Sequence, residues 1–200
     1  MNINNQNTPT LETKRLILRK FTENDIEALF DIYKDEEVNT YLPWFPLKSL
    51  EEAVIFFNEK YSKSYELDKG YKYAICLKTD NIPIGYVNVS MDNNHDLGYG
   101  LRKEFWHKGI VTEASKAVLE QVKKDGFLYV TATHDVKKPR SGGVMKQLGM
   151  NYKYSYEEQW QPKDVLVTFR MYQLNFDGEN HRVYKEYWDN YEGHFIEEDV

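Results

Sequence analysis

The sequence Asp96-Leu97-Gly98-Tyr99-Gly100-Leu101-Arg102-Lys103-Glu104-Phe105-Trp106-His107-Lys108-Gly109-Ile110-Val111-Thr112-Glu113-Ala114 decides how this chain folds. Its first residues alternate with a period of two, which predicts a strand; the alternating apolar positions are Leu97, Tyr99 and Leu101. After Gly109 the period changes to that of a helix, whose apolar face is Val111, Ala114, Val118, Leu119 and Val122. The stretch therefore predicts a strand, a loop that ends in glycine, and a helix.

The loop before this helix is a candidate anion site. Backbone N–H groups at a helix start have no internal partner, and the helix dipole adds partial positive charge there. Gly109 lets the backbone approach a ligand closely. Arg102, Lys103 and Lys108 surround the loop in a chain whose formal net charge is −6. The local pattern leaves two interpretations open, a phosphate cradle or a purely structural turn with solvated lysines.

Outward from this stretch, the remaining patterns predict elements in the order β-α-α-β-β-β-α-β-α-β-β. The first strand is expected over residues 11–21 and the last two over 151–160 and 164–174, joined by a hairpin. Two prolines in the segment 38–47 exclude a regular helix and predict an aromatic loop between the first two helices. No internal repeat interrupts this order.

The ends of the chain differ from its middle. Residues 1–9 are rich in Asn and predict a disordered start. Residues 175–200 form an acidic appendage, with eight acids against two bases. Five aromatic residues there recur at spacings of three or four and predict one helical stripe: Tyr184, Tyr187, Trp188, Tyr191 and Phe195. That stripe would dock on its own domain or form a homodimer contact.

Composition limits the classes of function. The acids and bases of residues 1–174 balance, which argues against nucleic-acid binding. We expect no membrane-spanning segment and no signal peptide, and the single cysteine, Cys76, suits a cytoplasmic protein. Cys76 lies inside a predicted strand, where a structural thiol is favoured over a nucleophile. The five histidines lack metal-ligand spacing, so no metal is expected.

In this order, the segments resemble the acyl-CoA-dependent N-acetyltransferases of the GNAT superfamily, in particular the ribosomal-protein N-acetyltransferase-like (RimJ/RimL-type) branch. Four segments carry the resemblance: residues 12–19, residues 84–87, the stretch 96–114, and residues 141–150. Together they span roughly residues 10–174, which the resemblance identifies as the acetyltransferase domain. The implied fold is α/β (α+β): a mixed, mostly antiparallel sheet of about seven strands, with a central parallel pair splayed to bind acyl-CoA. About four helices flank it, and the C-terminal aromatic helix is added.

The resemblance implies acetyl-CoA as co-substrate and a primary amine, on a protein N-terminus or a small molecule, as acceptor. The amine would attack the thioester directly, and CoA would leave as a thiolate. The resemblance places the cofactor against Leu101, Arg102, Lys103, Lys108, Gly109, Ile110, Val111, Thr112, Lys138 and Ser141. An antibiotic (aminoglycoside) N-acetyltransferase and a non-catalytic acyl-CoA-binding regulator are the alternatives.

Three positions depart from the family's pattern and keep the regulator open. Val111 replaces the usual second small residue of the loop, and Lys138 replaces an Asn that contacts pantetheine. Met145 stands where many relatives have a tyrosine that protonates the leaving thiolate, and a thioether cannot donate a proton. Ser141 is the remaining candidate acid, unless its hydroxyl only caps the helix start.

Asp96 stands where relatives often carry a glutamate. It is the candidate base that takes the amine's proton through a water, or it simply holds the cationic amine. The alternative is a solvated aspartate at the end of a turn. The acceptor pocket is expected to involve Tyr41, Trp44, Phe45 and Trp160. Trp44 and Phe45 would line that pocket or pin their loop to the core.

Overall fold

A computed structural model describes residues 7–39 and 42–200 of the chain. The strands are β1 (Leu11–Glu12), β2 (Leu16–Arg19), β3 (Tyr71–Leu77), β4 (Pro83–Val89), β5 (Leu97–Leu101), β6 (Tyr129–Asp135), β7 (Asn151–Trp160), β8 (Val165–Asn175) and β9 (His194–Phe195). The helices are α1 (Ile26–Tyr33), α2 (Glu36–Asn39), α3 (Leu50–Phe57), α4 (Lys63–Tyr65), α5 (Ile110–Lys124), α6 (Pro139–Gln147) and α7 (Glu186–Asn190). A π-helical segment, Asn58–Ser62, makes α3 and α4 continuous.

The strands form two antiparallel sheets, in the orders β1-β2-β3-β4-β5 and β6-β8-β7-β9. A parallel bridge between Asp96 and Thr131 joins them where β5 and β6 begin. From this bridge the two strands diverge, so β5 and β6 are the splayed parallel pair that the sequence predicts. The mixed α/β fold class is confirmed.

Two apolar clusters cover the two faces of the first sheet. On one face, α5 buries Ala114, Val118 and Val122 with no exposed surface against strand residues such as Ile75 and Val87. On the other face, α1 and α3 pack through Leu29, Phe57 and their neighbours against Tyr86 and the buried Cys76. The prediction that Cys76 is a buried thiol is confirmed, and burial raises its pKa to about 12.

The N-terminal segment departs from the prediction in two ways. The expected single strand over residues 11–21 is two short antiparallel strands, because the Thr13 N–H bonds to the Leu16 carbonyl and closes a turn. Asn7 and Thr8, placed in the disordered start, are buried: the Asn7 amide donates to two carbonyls at 2.8 Å. Residues 1–6 lie outside the described part of the chain.

The C-terminal tail is not the single aromatic helix that the spacing predicts. Its helix α7 has five residues, and β9 then pairs with β7 through Ser155 and Tyr156. Four residues of the expected stripe pack inward on the second sheet: Tyr184, Tyr187, Trp188 and Tyr191. Phe195, on the two-residue strand, is 41% exposed. Most of the stripe is therefore used within the chain, and the homodimer stays a prediction without support from it.

Candidate active site

A groove of about 1550 Å³ opens where β5 and β6 diverge. One wall is the β5–α5 loop with the start of α5, and the opposite wall is the start of α6. On the far face of the sheet, the groove continues between the α1–α4 segment and the β7–β8 hairpin. The splay thus connects two compartments, one on the α5–α6 side and one on the α1–α3 side.

The loop on the α5 side presents unpaired amides to the groove. Gly109 has a φ of 67°, a left-handed conformation that glycine adopts at low cost, and it is the N-cap of α5. The first backbone bond of the helix runs from the Glu113 N–H to the Gly109 carbonyl. The preceding amides, up to Thr112, have no intrahelical acceptor, and residues 105–112 all line the groove. This arrangement suits an anionic ligand.

A hydrogen-bond network fixes this loop to the first strands. The Glu113 carboxylate accepts from the Thr13 hydroxyl at 2.6 Å and from the Arg15 Nε at 2.7 Å. Arg15 also donates to the Lys108 carbonyl at 2.9 Å. The carbonyl before Gly109 is thereby directed away from the groove, which leaves the amide side of the loop facing it.

Eight of the ten predicted cofactor residues line this groove: Leu101, Lys108, Gly109, Ile110, Val111, Thr112, Lys138 and Ser141. Arg102 and Lys103 do not. The Lys103 ammonium bonds to Asp35 at 3.0 Å and Glu37 at 2.8 Å, and Arg102 pairs with Glu104 at 2.5 Å. Both side chains are held by carboxylates and neither lines the groove, so the structure gives no support for cofactor contacts by them.

Asp96 lies half-buried at the bridge, where the two compartments meet. Loss of hydration raises the pKa of its carboxyl to about 7, and a hydrogen bond from Thr131 at 3.4 Å opposes part of the rise. A carboxyl with this pKa is ionised in about half the molecules at neutral pH. It can therefore accept a proton there far better than a solvated carboxylate, whose pKa is near 4.

The turn before Asp96 is fixed from the C-terminal tail. The Asn94 side chain accepts from the Asp96 N–H at 3.2 Å and donates to the Tyr187 hydroxyl at 2.7 Å. The Tyr187 ring stacks on Tyr156 with centroids 4.9 Å apart. Burial and the nearby Asp96 charge raise the pKa of Tyr187, which keeps its hydroxyl neutral. No sequence motif connects these residues, since Asn94 and Tyr187 are 93 positions apart.

Ser141 occupies the third position of α6, across the groove from the loop. Its carbonyl accepts a hydrogen bond from Tyr99 at 2.9 Å, which ties β5 to α6. Its hydroxyl does not cap the helix, because Lys138 is the N-cap and makes no side-chain cap bond. Within the described ranges, no protein partner of this hydroxyl is found. Met145, in contrast, is buried in the core at 1% exposure.

Two of the four predicted acceptor residues line the α1–α3 side of the groove, Trp44 and Trp160. The Trp44 indole donates to Asn39 at 3.0 Å, so this ring both lines the groove and anchors its loop. The Trp160 ring packs on Phe169 at a tilt of 52°, and its buried indole N–H finds no acceptor in the described part of the chain. Phe45 is 59% exposed and lies outside the groove. Tyr41 lies outside the described residues.

One buried imidazole in the groove was not anticipated. His134 on β6 is 5% exposed, and its Nδ1 bonds to the Asp135 carbonyl at 2.8 Å. Burial lowers its pKa, so the ring is neutral at pH 7. Its Nε2 abuts Gly142, where a Cβ would lie 2.6 Å away. Gly142 thus allows α6 to pack directly on β6.

Across residues 7–39 and 42–200, no cluster of three or more His, Cys, Asp and Glu is arranged to hold a metal ion. In the same part of the chain, no helix combines the length and hydropathy needed to cross a bilayer.

A scan against protein-family models matches residues 15–151 to the acetyltransferase (GNAT) domain. The chain belongs to the GNAT acetyltransferases. The matched range contains the β5–α5 loop, Asp96 and α6, and it ends before the β7–β8 hairpin and the tail. The family resemblance of the sequence is confirmed, and the protein is an acetyltransferase.

Relatives in sequence carry the same designation. The chain is 29% identical over 123 residues to the uncharacterized N-acetyltransferase YoaA of Bacillus subtilis, covering 60% of this chain and 67% of that protein. It is 27% identical over 144 residues to YnaD of the same organism, another uncharacterized N-acetyltransferase, covering 70% and 81%.

Solved structures share the fold. A protein from Vibrio cholerae named as a ribosomal-protein-serine acetyltransferase superimposes with a TM-score of 0.72 at 18% identity, covering 84% of this chain and 99% of that one. The microcin C7 self-immunity acetyltransferase MccE, solved with acetyl-CoA and AMP, gives 0.70 at 17% identity, covering 82% and 93%.

Proposed function

We propose that this acetyltransferase moves the acetyl group of acetyl-CoA to a primary amine, on a small molecule or a protein N-terminus, by direct attack. The observation that carries the proposal is the position of Asp96. Its carboxyl, with a pKa of about 7, lies at the bridge where the two compartments of the groove meet. A donor in one compartment and an amine in the other would react beside it.

The α5–α6 compartment is the proposed site of the donor. The amides of residues 108–112 would bind the pyrophosphate of CoA, and Lys138 at the start of α6 would face them across the groove. The fit rests on the left-handed Gly109, whose missing Cβ leaves space beside the loop. The acceptor would enter the α1–α3 compartment past Trp44 and Trp160.

The steps balance without a covalent enzyme intermediate. Asp96 takes one proton from the substrate ammonium, and the freed nitrogen lone pair attacks the thioester carbon. The C–N bond forms, the C–S bond breaks, and the nitrogen loses its second proton. That proton neutralises the thiolate of CoA, passed through the Ser141 hydroxyl or through solvent. Holding both reactants at one point contributes much of the rate in such a mechanism.

Thiol release from acetyl-CoA over a panel of primary amines tests this function, with the acetylated product identified by mass. We expect turnover with at least one amine. Tight CoA binding without turnover of any amine would favour the non-catalytic regulator instead. Turnover confined to aminoglycosides would select the antibiotic acetyltransferase.

Ser141→Ala tests the acid separately. We expect the variant to lower kcat by more than it weakens CoA binding, and to leave the fold intact because the hydroxyl has no structural partner among the described residues. A normal kcat would remove Ser141 from the reaction.

A further inference from the structure

The wall of the α1–α3 compartment carries two cations without a carboxylate partner. Lys60, in the π-helical segment, and Lys72, on β3, both line the groove. Across residues 7–39 and 42–200, neither ammonium takes part in an ion pair within 4.0 Å. Two lysines nearby are paired: Lys78, just after β3, with Glu12, and Lys34, just after α1, with Asp31.

The fold holds these two cations close together. The Lys72 ammonium donates to the Lys60 carbonyl at 2.6 Å, and the Lys60 ammonium lies 5.6 Å from the centroid of the Trp44 ring. Burial, with a smaller contribution from the charge of Lys60, lowers the pKa of Lys72. Two neighbouring ammonium groups repel each other, and an anion bound between them would relieve that repulsion. π-helical segments are frequent at functional sites.

Strand register relates this pair to Asp96. Lys72 lies opposite Asn88, and Asn88 lies opposite Gly98. Asp96 precedes Gly98 by two residues, and the Ser90 N–H bonds to the Asp96 carbonyl, which continues the ladder. Because paired residues share a face and side chains alternate, Lys72 and Asp96 project from the same face of the sheet. Strand spacing places their Cα atoms about 12 Å apart.

The surface of the first sheet between Lys72 and Asp96 is not covered by other side chains at Gly98. A Cβ at Gly98 would meet no atom within 4 Å. Asn88, beside it, has a buried Oδ1 that lacks a hydrogen-bond partner in the described part of the chain. The groove therefore has room for a ligand that lies across Gly98, with a polar group of the protein beneath it.

We propose that the acceptor is a small primary amine that also carries a carboxylate or phosphate group. Its amine lies at Asp96 and its anionic group at Lys60 and Lys72. The inference rests on the proposed function and names the substrate class of the same groove. Because side chains stand roughly perpendicular to the sheet, subtracting a contact distance of about 3 Å at each end from the Cα separation leaves roughly 6 Å between the amine and the anion.

Matched acceptors that differ only in the anion test this inference. One pair is a dipeptide and its C-terminal amide, and the other is 3-aminopropyl phosphate and 3-aminopropanol. We expect kcat/KM of the full-length protein to be at least about 10-fold higher for the anionic member of one pair, as a charge-assisted contact implies. The pair that shows the preference tells carboxylate from phosphate.

The variant Lys60→Met/Lys72→Met should bring this preference close to one, while leaving the Kd of CoA unchanged. Lys63→Met is the matched control, because Lys63 lies exposed on the same helix outside the groove. The inference is overturned if the neutral members are turned over equally well or better, or if the preference survives in the double variant. It is also overturned if a long neutral peptide has a higher kcat/KM than every small acceptor.

Binding separates this inference from the proposed function. The shift in Tm that each compound causes is measured with CoA present, in the same variants. A shift that depends on the anion and on Lys60 and Lys72, without turnover, would leave the anion site standing and reject the acetyltransfer reaction. Equal shifts from both members of each pair would reject the anion site.

Discussion

Tyr187, in the acidic tail, accepts a hydrogen bond from Asn94 at 2.7 Å, and Asn94 in turn holds the backbone N–H of Asp96. The tail lies beyond the matched family domain, which ends at residue 151. The position of the candidate base thus depends on a part of the chain that the family model does not include.

Tyr187→Phe tests this dependence. Removing the hydroxyl leaves the Asn94 amide without its acceptor, at a cost of about 1 kcal/mol, so we expect kcat/KM for the amine to fall about 5-fold. The apparent pKa of the kcat/KM profile should move as well, while the Kd of CoA stays constant. Tyr184→Phe is the control, because that hydroxyl donates to the exposed Glu186. The same loss in both variants would show a general effect of the tail and not a specific one at Asp96.

Asp96→Asn should lower kcat by roughly 100-fold or more, the usual effect of removing a general base. In the wild type, kcat/KM should rise with pH through about 7, because only the ionised carboxyl accepts a proton. The variant should lack this limb. An unchanged pH profile in the variant would assign the limb to the amine substrate.

Asp96→Asn should also change how the free energy of unfolding depends on pH. The folded-state pKa of Asp96 is raised, so its contribution to the free energy of unfolding is fully present below the unfolded pKa, near 3.9. That contribution is lost as the pH rises through about 7. Asp96→Asn should therefore gain stability over the wild type between pH 4 and pH 8, as measured by urea unfolding. If the free energy of unfolding of Asp96→Asn instead falls relative to that of the wild type as the pH rises toward 8, the raised pKa of Asp96 is contradicted.

Gly109→Ala should raise the Kd of CoA about 3- to 10-fold, because alanine disfavours the left-handed backbone of the loop by about 1 kcal/mol. Gly126→Ala provides the same strain at φ 89°, at the far end of α5 and with no atom near the added Cβ. Both variants should lose similar stability, and only the first should lose CoA affinity. Isothermal titration with CoA measures the difference, and equal affinities would reject the loop as the phosphate site.

Arg15→Ala removes the bond to the Lys108 carbonyl and the ion pair with Glu113. Because the Arg15 side chain is 43% exposed, we expect only a small loss of stability. The loop should nevertheless become less ordered, and the Kd of CoA should rise several-fold. Lys14→Ala, an exposed neighbour, should leave the Kd unchanged. If both variants weaken CoA equally, the effect is one of net charge.

Local pattern was sufficient for the parts of the fold that local forces decide. The change of period at Gly109 predicts the β5–α5 turn because a glycine at φ 67° and an amphipathic helix are properties of neighbouring residues. The eight predicted cofactor residues that line the groove were implied by the family resemblance; they lie at the end of β5, in this turn and at the start of α6.

The errors lie where distant residues decide. Lys103 is held by Asp35 and Glu37, from the end of α1 and the start of α2. Arg102 is held by its neighbour Glu104 and by Asp31 of α1. The aromatic tail leaves the helical path because β7 offers a free edge to His194 and Phe195. Neither partner is visible in the spacing of the residues themselves. The proximity of Lys60 to Lys72 has no sequence signal for the same reason, since it depends on the π-helical segment lying over β3.

The bridge between Asp96 and Thr131 lies at the point from which β5 and β6 diverge, and its backbone pairing does not depend on the side chains of the outer walls. Substitutions on the outer walls can reshape the acceptor compartment without redirecting the carboxylate. Catalysis and acceptor choice are therefore separable traits in this fold. Laboratory evolution toward a new acceptor should concentrate diversity on the α3–α4 wall and the β7–β8 hairpin, and should keep Asn94, Asp96 and Thr131 fixed.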